Sequence, residues 1–438
     1  MKILIHNIGM LCGILPSSVR RLEGEGMSQV ECIGNAWLEI TDGIISGYGG
    51  VSAEGDLAVG PGSVPGGRGS RPEPDADEVI DAEGGYVMPT FCDSHTHIVY
   101  AGSRDGEFRD KIAGLSYEEI AARGGGILNS ADLLHNTSED ELFRQSLARV
   151  HEIMAKGTGA VEIKSGYGLR TEDELKMLRV IRRIRESVPI TVKATFLGAH
   201  AVGREYAGNR GAYVDLVCSE MLPRVAEEGL ADYVDVFCDK GFFTPEDTSR
   251  ILEAAAAFGL RGKIHANELA ISGGVQVGVS HGALSVDHLE RTGQEEIECL
   301  RGRETMPTML PGASFFLGMP YGRAKNFINA GLPVALASDY NPGSSPSGDM
   351  RFVMALGCIC MRLTPEQAFN ACTINSAYAM GAEDRLGSIT IGKLGSVIIT
   401  GKIPSLAFIP YSHQTPFIRR VIFPEVKQSS TIAKTILQ

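Results

Sequence analysis

The feature that most constrains the fold is an alternation of short apolar segments with amphipathic, helix-like segments that begins near residue 86. Short apolar or β-branched runs are typical of buried strands, whereas apolar residues at helical spacing indicate helices. Eight segments are candidate strands: 86–92, 159–164, 191–197, 233–238, 263–266, 283–288, 305–310 and 333–338. Because repeated βα units build a parallel sheet, eight of them predict an α/β fold with a closed (β/α)8 barrel, the TIM barrel.

Helix-start signals lie between these candidate strands. The segments 138–141, 171–174 and 364–367 each place a Ser or Thr three residues before a Glu or Gln. This is the spacing of a capping box, in which the two side chains satisfy backbone N–H groups of the first helical turn. The third segment also has Pro365 at the first helical position, where proline is favoured.

The two ends of the chain differ from this pattern. Residues 1–84 predict short strands and turns, and strand-like segments return after residue 388. We therefore predict a small composite β-sandwich domain of residues 1–84 and 388–438, beside a barrel domain of residues 85–387. The segment 55–74 is dense in Gly and Pro, which predicts a loop or an insertion.

Composition excludes several classes of protein. The chain has 41 Lys and Arg against 53 Asp and Glu, a net charge of −12, so nucleic-acid binding is not expected. No apolar run reaches the roughly 20 residues of a membrane span. The nine cysteines are scattered, with no C-x-x-C pair, which favours a reducing cytoplasm over a thiolate zinc site. A homodimer is plausible for a chain of this type, although no residue indicates it.

The placement of certain histidines indicates a metal site. His95 and His97 form an H-x-H at the end of the first predicted strand, so both imidazoles face the same way. His265 and His288 end the fifth and sixth strands, and Asp339 follows the eighth. The carboxyl ends of barrel strands meet at one mouth, where barrel active sites lie. The alternative is that these histidines are unrelated core or surface residues. Four strand ends would then carry an imidazole or a carboxylate by chance.

Imidazoles with one carboxylate suit Zn²⁺ or Fe²⁺ and leave a coordination position for water. Such an ion lowers the pKa of water and provides a nucleophile near neutral pH. Glu268, three residues after His265, is a candidate to carry the proton.

Several motifs add a family resemblance over residues 86–393. They are D-S-H-T-H at 93–97, K-S-G-Y-G at 164–168, F-L-G-A-H at 196–200, I-H-A-N-E at 264–268, V-D-H-L-E at 286–290 and S-D-Y-N-P-G-S at 338–344. Together they resemble the amidohydrolase superfamily and, within it, the imidazolonepropionase family. The H-x-H is shared by many hydrolases, whereas the other motifs in this order are more specific.

The resemblance implies an activity and a set of site residues. The implied reaction is hydrolysis of 4-imidazolone-5-propanoate to N-formimidoyl-L-glutamate, the third step of histidine degradation, with one zinc or iron ion (Fe²⁺ or Fe³⁺) per chain. The implied metal ligands are His95, His97, His265 and Asp339. The implied catalytic residues are Glu268, His288 and Asp339. The implied contacts to the small-molecule substrate are Arg104, Tyr167, His200, Glu268, Asn341, Gly343 and Ser344.

The chemistry of these residues agrees with those roles. An Arg fork and a Tyr hydroxyl suit the propanoate of the substrate, although Arg104 could instead pair with Asp105 or Glu107. The proton carrier is either Glu268 or Asp339, and the sequence leaves this open.

Three other interpretations remain at this point. Lys164 or Lys193 could be a carboxylated lysine that bridges two metal ions. A deaminase of a nucleobase-like ring would share the same ligands but would not need Arg104 to bind a carboxylate. A catalytically inactive barrel could serve as a scaffold, although such proteins typically lose metal ligands, and none is missing here.

Overall fold

The computed structural model describes residues 1–51, 57–59, 76–115, 119 and 125–424. Its strands are β1 (Lys2–Ile14), β2 (Glu31–Thr41), β3 (Ile44–Val51), β4 (Leu57–Val59), β5 (Glu78–Asp81), β6 (Tyr86–Pro89), β7 (Phe91–Thr96), β8 (Thr158–Lys164), β9 (Thr191–Ala199), β10 (Tyr233–Cys238), β11 (Arg261–Ala266), β12 (Ser285–His288), β13 (Met306–Met309), β14 (Ala335–Leu336), β15 (Val397–Thr400) and β16 (Ile418–Ile422).

Helices connect the strands. The α-helices are Asp105–Ile112, Ile127–His135, Glu139–Ala155, Thr171–Ser187, Arg210–Leu216, Leu222–Glu227, Pro245–Ala256, Gly274–Ser280, Gln294–Leu300, Pro311–Leu317, Ala324–Asn329, Met350–Ile359, Pro365–Cys372, Ile374–Ala379 and Phe408–Tyr411. A π-helical turn, Val217–Met221, joins two of them, and short 3₁₀ turns occur at Gly24–Ser28 and Arg204–Tyr206.

Strands β7 to β14 form the predicted barrel. They follow one another in chain order and pair in parallel. The first and last strands then meet, because the backbone N–H of His97 donates to the carbonyl of Tyr340 at 2.9 Å and that of Asp339 donates to the carbonyl of His95 at 3.0 Å. The (β/α)8 prediction is confirmed, and the closure itself brings Asp339 beside the H-x-H.

The first barrel strand is shorter than predicted. The segment 86–92 divides at Thr90: β6 pairs with β1 and β15, and only β7 enters the barrel. The division is fixed by hydrogen bonds, since the Thr90 hydroxyl lies 2.9 Å from that of Ser396 and the Thr90 N–H donates to the Ser396 carbonyl. An apolar run alone does not show that its two halves join different sheets.

The remaining strands form one sheet made from both ends of the chain, in the order β16-β15-β6-β1-β2-β3-β4, with β5 beside β1. Ile5, Leu11, Leu38, Ile40 and Ile45 are among its buried residues. Of the Gly- and Pro-rich segment, 57–59 is the short strand β4, and the rest lies outside the described residues, as does 425–438. Among the described helices, none is both long and apolar enough to cross a membrane.

Two of the three predicted helix caps are present. The Ser138 hydroxyl accepts the N–H of Glu141, and Thr364 and Gln367 form a complete capping box. The box at 171–174 is wrong, because Thr171 already lies inside the helix and its hydroxyl donates to Glu220. The Glu174 carboxylate instead accepts backbone N–H groups from the preceding loop, 166–169.

Candidate metal centre

The four predicted metal ligands meet at the mouth of the barrel. His95 lies in β7, His97 directly follows that strand, His265 lies in β11 and Asp339 follows β14. Their side chains are buried, with at most 2% of each residue exposed. Strands that are far apart in sequence therefore bring three imidazoles and one carboxylate into one small volume.

The distances between the donor atoms are short. The Nε2 atom of His265 lies 3.1 Å from Nε2 of His95 and 3.3 Å from Nε2 of His97. Asp339 Oδ1 lies 3.7 Å from Nε2 of His95 and 3.5 Å from Nε2 of His97. Combinations of these residues, and of His200 and His288 with them, place their donor atoms within 4.8 Å of one another. This spacing is what ligands around a single ion require.

Two buried carboxylates fix the orientation of the histidines. Asp287 Oδ2 lies 2.7 Å from Nδ1 of His95, and Asp235 Oδ2 lies 3.0 Å from Nδ1 of His265. Nδ1 of His95 donates to Asp287. The adjacent Asp235 carboxylate favours the proton on Nδ1 of His265, so the two Nε2 lone pairs face each other across 3.1 Å. Two facing lone pairs repel each other, and a cation between them would relieve that repulsion. The residues thus fit a metal ion.

His95 and His97 are held in the neutral form that binds metal. Burial, followed by the nearby charge of Lys164, lowers the pKa of His95 well below its usual value. Burial also lowers the pKa of His97, with His200 and His265 adding to the effect. Neutral imidazole is the ligand form, so the site is ready for a cation at neutral pH.

His288 lies next to the ligands between two carboxylates. Its Nε2 is 3.7 Å from Glu268 Oε2, and its Nδ1 is 3.6 Å from Glu290 Oε2. Burial opposes the charged form, but Glu268 and Glu290 outweigh it and raise the pKa of His288 well above its usual value. A protonated His288 is a hydrogen-bond donor suited to a developing oxyanion.

Glu268 lies on the loop that follows β11. Burial raises its pKa to about 7, with the neighbouring His288 acting in the opposite direction. The carboxylate of Asp239 accepts the backbone N–H groups of Glu268 at 2.7 Å, Leu269 at 2.9 Å and Ala270 at 3.1 Å. Asp239 therefore holds the loop in place, and a carboxyl with a pKa near neutrality is suited to proton transfer.

His200 and Tyr167 form one wall of the site. The His200 ring stacks on that of His97, with centroids 5.1 Å apart, and its Nδ1 donates to the Gly166 carbonyl at 3.0 Å. The Tyr167 ring lies 5.3 Å from that of His200 and 5.8 Å from that of His97. Burial lowers the pKa of His200 to about 3, so the ring is neutral.

Arg104 forms an ion pair with Glu107, the alternative that the sequence left open beside substrate binding. Its Nε and Nη2 atoms donate to Glu107 Oε2 at 2.8 and 2.6 Å. The other oxygen of Glu107 accepts from the Gly126 N–H and the Asn129 amide, each at 3.1 Å. Glu107 thus anchors the guanidinium, which lies against Gly343 on the loop after β14.

The predicted substrate contacts on the loop after Asp339 also support the ligand set. Asn341 Oδ1 accepts the N–H groups of Gly343 and Ser344, and its amide donates to the Asp339 carbonyl at 2.7 Å. The Ser344 hydroxyl donates to Asp339 Oδ2 at 3.1 Å. The loop therefore orients the Asp339 carboxylate, and its contact with substrate stays a prediction.

The geometry around the two lysines disfavours a bridging carboxylated lysine. The Nζ of Lys164 donates to Glu162 at 2.9 Å and to Asp235 at 2.8 Å. Burial disfavours its charge, but these carboxylates and Asp287 outweigh burial and raise its pKa, whereas carboxylation needs a neutral amine. Lys193 lies 3.8 Å from Asp232, a contact outside the metal centre.

Sequence reasoning missed the residues behind the ligands. Asp235, Asp239 and Asp287 position proposed ligands or the Glu268 loop, and none was assigned a role. One signal was available, because Asp235 and Asp287 are acidic residues inside otherwise apolar strands. Buried carboxylates are rarely left without a partner, so they indicate a function or a network.

Comparison of the fold gives many solved structures of similar shape. A triazine hydrolase variant has a TM-score of 0.72 at 14% identity and covers 97% of this chain and 93% of its own. The 5-methylcytosine deaminase from Klebsiella pneumoniae has a TM-score of 0.69 at 15% identity and covers 97% of this chain and all of its own. At such identities the likeness shows the fold alone.

Comparison of the sequence is more specific. Residues 241–405 match the family model described as "Amidohydrolase family". A protein named imidazolonepropionase from Christiangramia forsetii is 51% identical over 421 residues, which are 96% of this chain and 98% of that protein. Those from Flavobacterium johnsoniae and Alkaliphilus metalliredigens are 51% and 37% identical, each over 96% of this chain and 98% and 96% of their own. The chain therefore belongs to the imidazolonepropionase family of amidohydrolases.

Proposed function

We propose that this chain hydrolyses 4-imidazolone-5-propanoate to N-formimidoyl-L-glutamate by opening a cyclic amide C–N bond with water. The main structural support is the convergence of His95, His97, His265 and Asp339 at the mouth of the barrel. Relatives named imidazolonepropionase align over nearly the whole chain, which supports this reaction.

We propose one zinc or iron ion per chain, held by His95, His97, His265 and Asp339. Three imidazole nitrogens and one carboxylate oxygen suit Zn²⁺, Fe²⁺ or Fe³⁺. When bound, such an ion acts as a Lewis acid and lowers the pKa of water. The carboxylates that fix the two Nδ1 protons keep the Nε2 donors directed at the ion.

The propanoate group fits the Arg104 side of the site. The guanidinium lies at the loop that follows Asp339, and its planar fork suits a carboxylate. Tyr167 and His200 form a wall of the site, where a flat ring can lie against them. We assign the contacts to the ring and its ring-opened form to these residues, together with Asn341 and Ser344.

His288 and Glu268 are placed for the chemical step. His288 donates a hydrogen bond to the attacked carbonyl oxygen, where negative charge develops as the water oxygen bonds to the carbon. Glu268 takes a proton from the water and returns it to the ring nitrogen as the C–N bond breaks. Glu268 fits this role better than Asp339. Asp339 is a proposed metal ligand, and its Oδ2 already accepts a hydrogen bond from the Ser344 hydroxyl.

A direct assay tests the proposal. The purified, metal-loaded chain should consume 4-imidazolone-5-propanoate and form N-formimidoyl-L-glutamate, measured by the loss of substrate absorbance and by mass spectrometry. Guanine and cytosine serve as the matched alternative substrates. Turnover of either base with none of the imidazolone would support a deaminase, and no turnover of any of them with intact metal would support a scaffold.

We also propose a cytoplasmic location. All nine cysteines lie in the described part of the chain, and none forms a disulfide, which fits a reducing compartment. The homodimer and the division into residues 1–84 with 388–438 and residues 85–387 stay predictions. Sedimentation of the purified chain measures the first, and limited proteolysis tests the second.

A further inference from the structure

We propose that Lys164 is a positioning residue for the metal centre: one buried ammonium group fixes both carboxylates that orient the ligands His95 and His265. The inference rests on the metal site of the proposed function and extends it to a residue that touches neither the metal site nor the substrate. The inference gives a role to Lys164, the buried lysine at the end of β8.

The geometry links the two pairs through single atoms. Lys164 Nζ lies 2.8 Å from Asp235 Oδ2, and that same oxygen lies 3.0 Å from Nδ1 of His265. Lys164 Nζ also lies 3.9 Å from Asp287 Oδ2, and that oxygen lies 2.7 Å from Nδ1 of His95. The ammonium is thus the shared neighbour of both carboxylate–histidine pairs, one step behind the ligands.

The surroundings make this contact strong. Lys164, Asp235 and Asp287 have no exposed side-chain surface. Charges in a low-dielectric interior interact far more strongly than on a surface, and a carboxylate left without its cation there is costly. Without the ammonium, Asp235 would lose its hydrogen-bonded cation, and Asp287 would keep only one of the two lysines that lie 3.9 Å from its Oδ2.

The second lysine of this layer has a different role. Lys263 Nζ donates to the backbone carbonyls of Ser94 at 3.1 Å and Ala379 at 2.8 Å. It lies 3.9 Å from Asp287 Oδ2, and no contact with Asp235 is found among the described residues. Its hydrogen bonds tie strands together, whereas those of Lys164 go to carboxylates.

The expected consequence concerns metal affinity. Groups that orient metal ligands typically change metal affinity by about 10-fold to 100-fold when they are removed. Replacement of Lys164 by Met keeps most of the apolar stem and removes the ammonium. We expect K164M to bind Zn²⁺ about 10-fold to 100-fold more weakly than the parent chain.

The test is a competition titration of the metal-free chain with Zn²⁺ against a chromogenic chelator, together with the visible spectrum of the Co²⁺-loaded chain. K393M is the matched control, because Lys393 is also buried but donates to Leu386 and Ser388. E162Q is the second control, because Glu162 binds Lys164 but orients no ligand. Both controls should keep the parent affinity within about threefold and the parent Co²⁺ spectrum, because neither removes a group that orients a ligand.

A combined variant separates positioning from a general loss of stability. If Lys164 acts through Asp235 and Asp287, the K164M/D235N/D287N chain should bind Zn²⁺ no more than about threefold more weakly than D235N/D287N, since Lys164 then has no remaining route to the ligands. Additive losses, or an unchanged affinity in K164M, would overturn the inference. A parent chain that binds no Zn²⁺ would instead overturn the proposed function.

A charge-balanced variant covers the case in which K164M does not fold. The E162Q/K164M chain removes one cation and one anion together, so the layer keeps its net charge. Circular dichroism checks its fold. The same loss of affinity relative to E162Q supports the positioning role, and parent-like affinity contradicts it.

Discussion

The guanidinium of Arg104 lies directly over Gly343, so close that a Cβ atom at Gly343 would come within 2.1 Å of Arg104 Nη1. The loop that follows the proposed ligand Asp339 therefore lies directly beneath the proposed carboxylate-binding side chain. Glycine is needed at position 343 because the guanidinium leaves no room for a Cβ atom. Backbone conformation does not require it, since Gly343 is not among the glycines with positive φ.

Gly343→Ala should displace Arg104 and weaken substrate binding. The obstructing atoms are the tip of a flexible side chain, so the arginine should move while the backbone stays. Hydrogen bonds to charged groups contribute about 1.5–3 kcal/mol, which predicts a fall in kcat/KM of about 10-fold to 100-fold, mainly through KM. Gly106→Ala is the control, because a Cβ there meets nothing within 4 Å. An unchanged KM would argue against Arg104 as the carboxylate site.

Asp339→Ala should remove metal and activity together. The substitution deletes the only carboxylate among the proposed ligands, and kcat/KM should fall by more than about 100-fold. Metal content by mass spectrometry and turnover should fall in parallel. Asp215→Asn alters an exposed ion pair with Arg250, outside the proposed ligand and substrate residues, and should change neither. Full metal with normal turnover in Asp339→Ala would show that the ligand assignment is wrong.

Asp239→Asn should lower turnover while metal stays bound. Asp239 accepts three N–H groups of the Glu268 loop, and an amide in its place loses one accepting oxygen. A small displacement of Glu268 should reduce kcat by about 10-fold to 100-fold, the typical contribution of general acid–base groups being about 10²–10⁴. Steady-state kinetics with metal analysis distinguishes this variant from Asp339→Ala. Loss of metal in Asp239→Asn would contradict the role.

Lys393→Met should change how stability depends on pH. Burial lowers the pKa of Lys393 to about 8, from the 10.5 usual for lysine. Between these values the unfolded chain binds the proton and the folded chain does not, so this lysine's contribution to stability rises with pH from about 8 to about 10.5. The melting temperature of the parent relative to that of Lys393→Met should therefore rise across that window. A constant difference from pH 7 to pH 10 would contradict the prediction.

The convergence of the proposed ligands could be predicted from sequence, because in a barrel the carboxyl ends of all strands meet at one mouth. Once eight βα units are recognised, His95, His265 and Asp339 must end at the same mouth. Strand order does not predict which buried carboxylate contacts which of these histidines. Asp287 orients His95 across the barrel, 192 residues away along the chain, and its own strand gives no sign of which histidine it contacts.

Local patterns failed where tertiary contacts compete with them. The Thr171 and Glu174 spacing satisfies the capping-box rule, yet Glu174 binds the N–H groups of Gly166, Gly168 and Leu169. Three hydrogen bonds to a loop beside the site outweigh one local bond to the helix start. The Arg104 pairing with Glu107 was foreseen as an alternative, but its proximity to Gly343 needed coordinates.

The division at Thr90 has a consequence for how the enzyme is made. The hydroxyls of Thr90 and Ser396 that meet there are 306 residues apart along the chain, and the H-x-H strand begins one residue after Thr90. A ribosome must therefore synthesise nearly the whole polypeptide before this strand gains its final support. Such late, distant pairing slows folding and leaves a nascent barrel exposed to aggregation. Chains that terminate before β15 should accumulate as insoluble or degraded material rather than as a smaller working hydrolase.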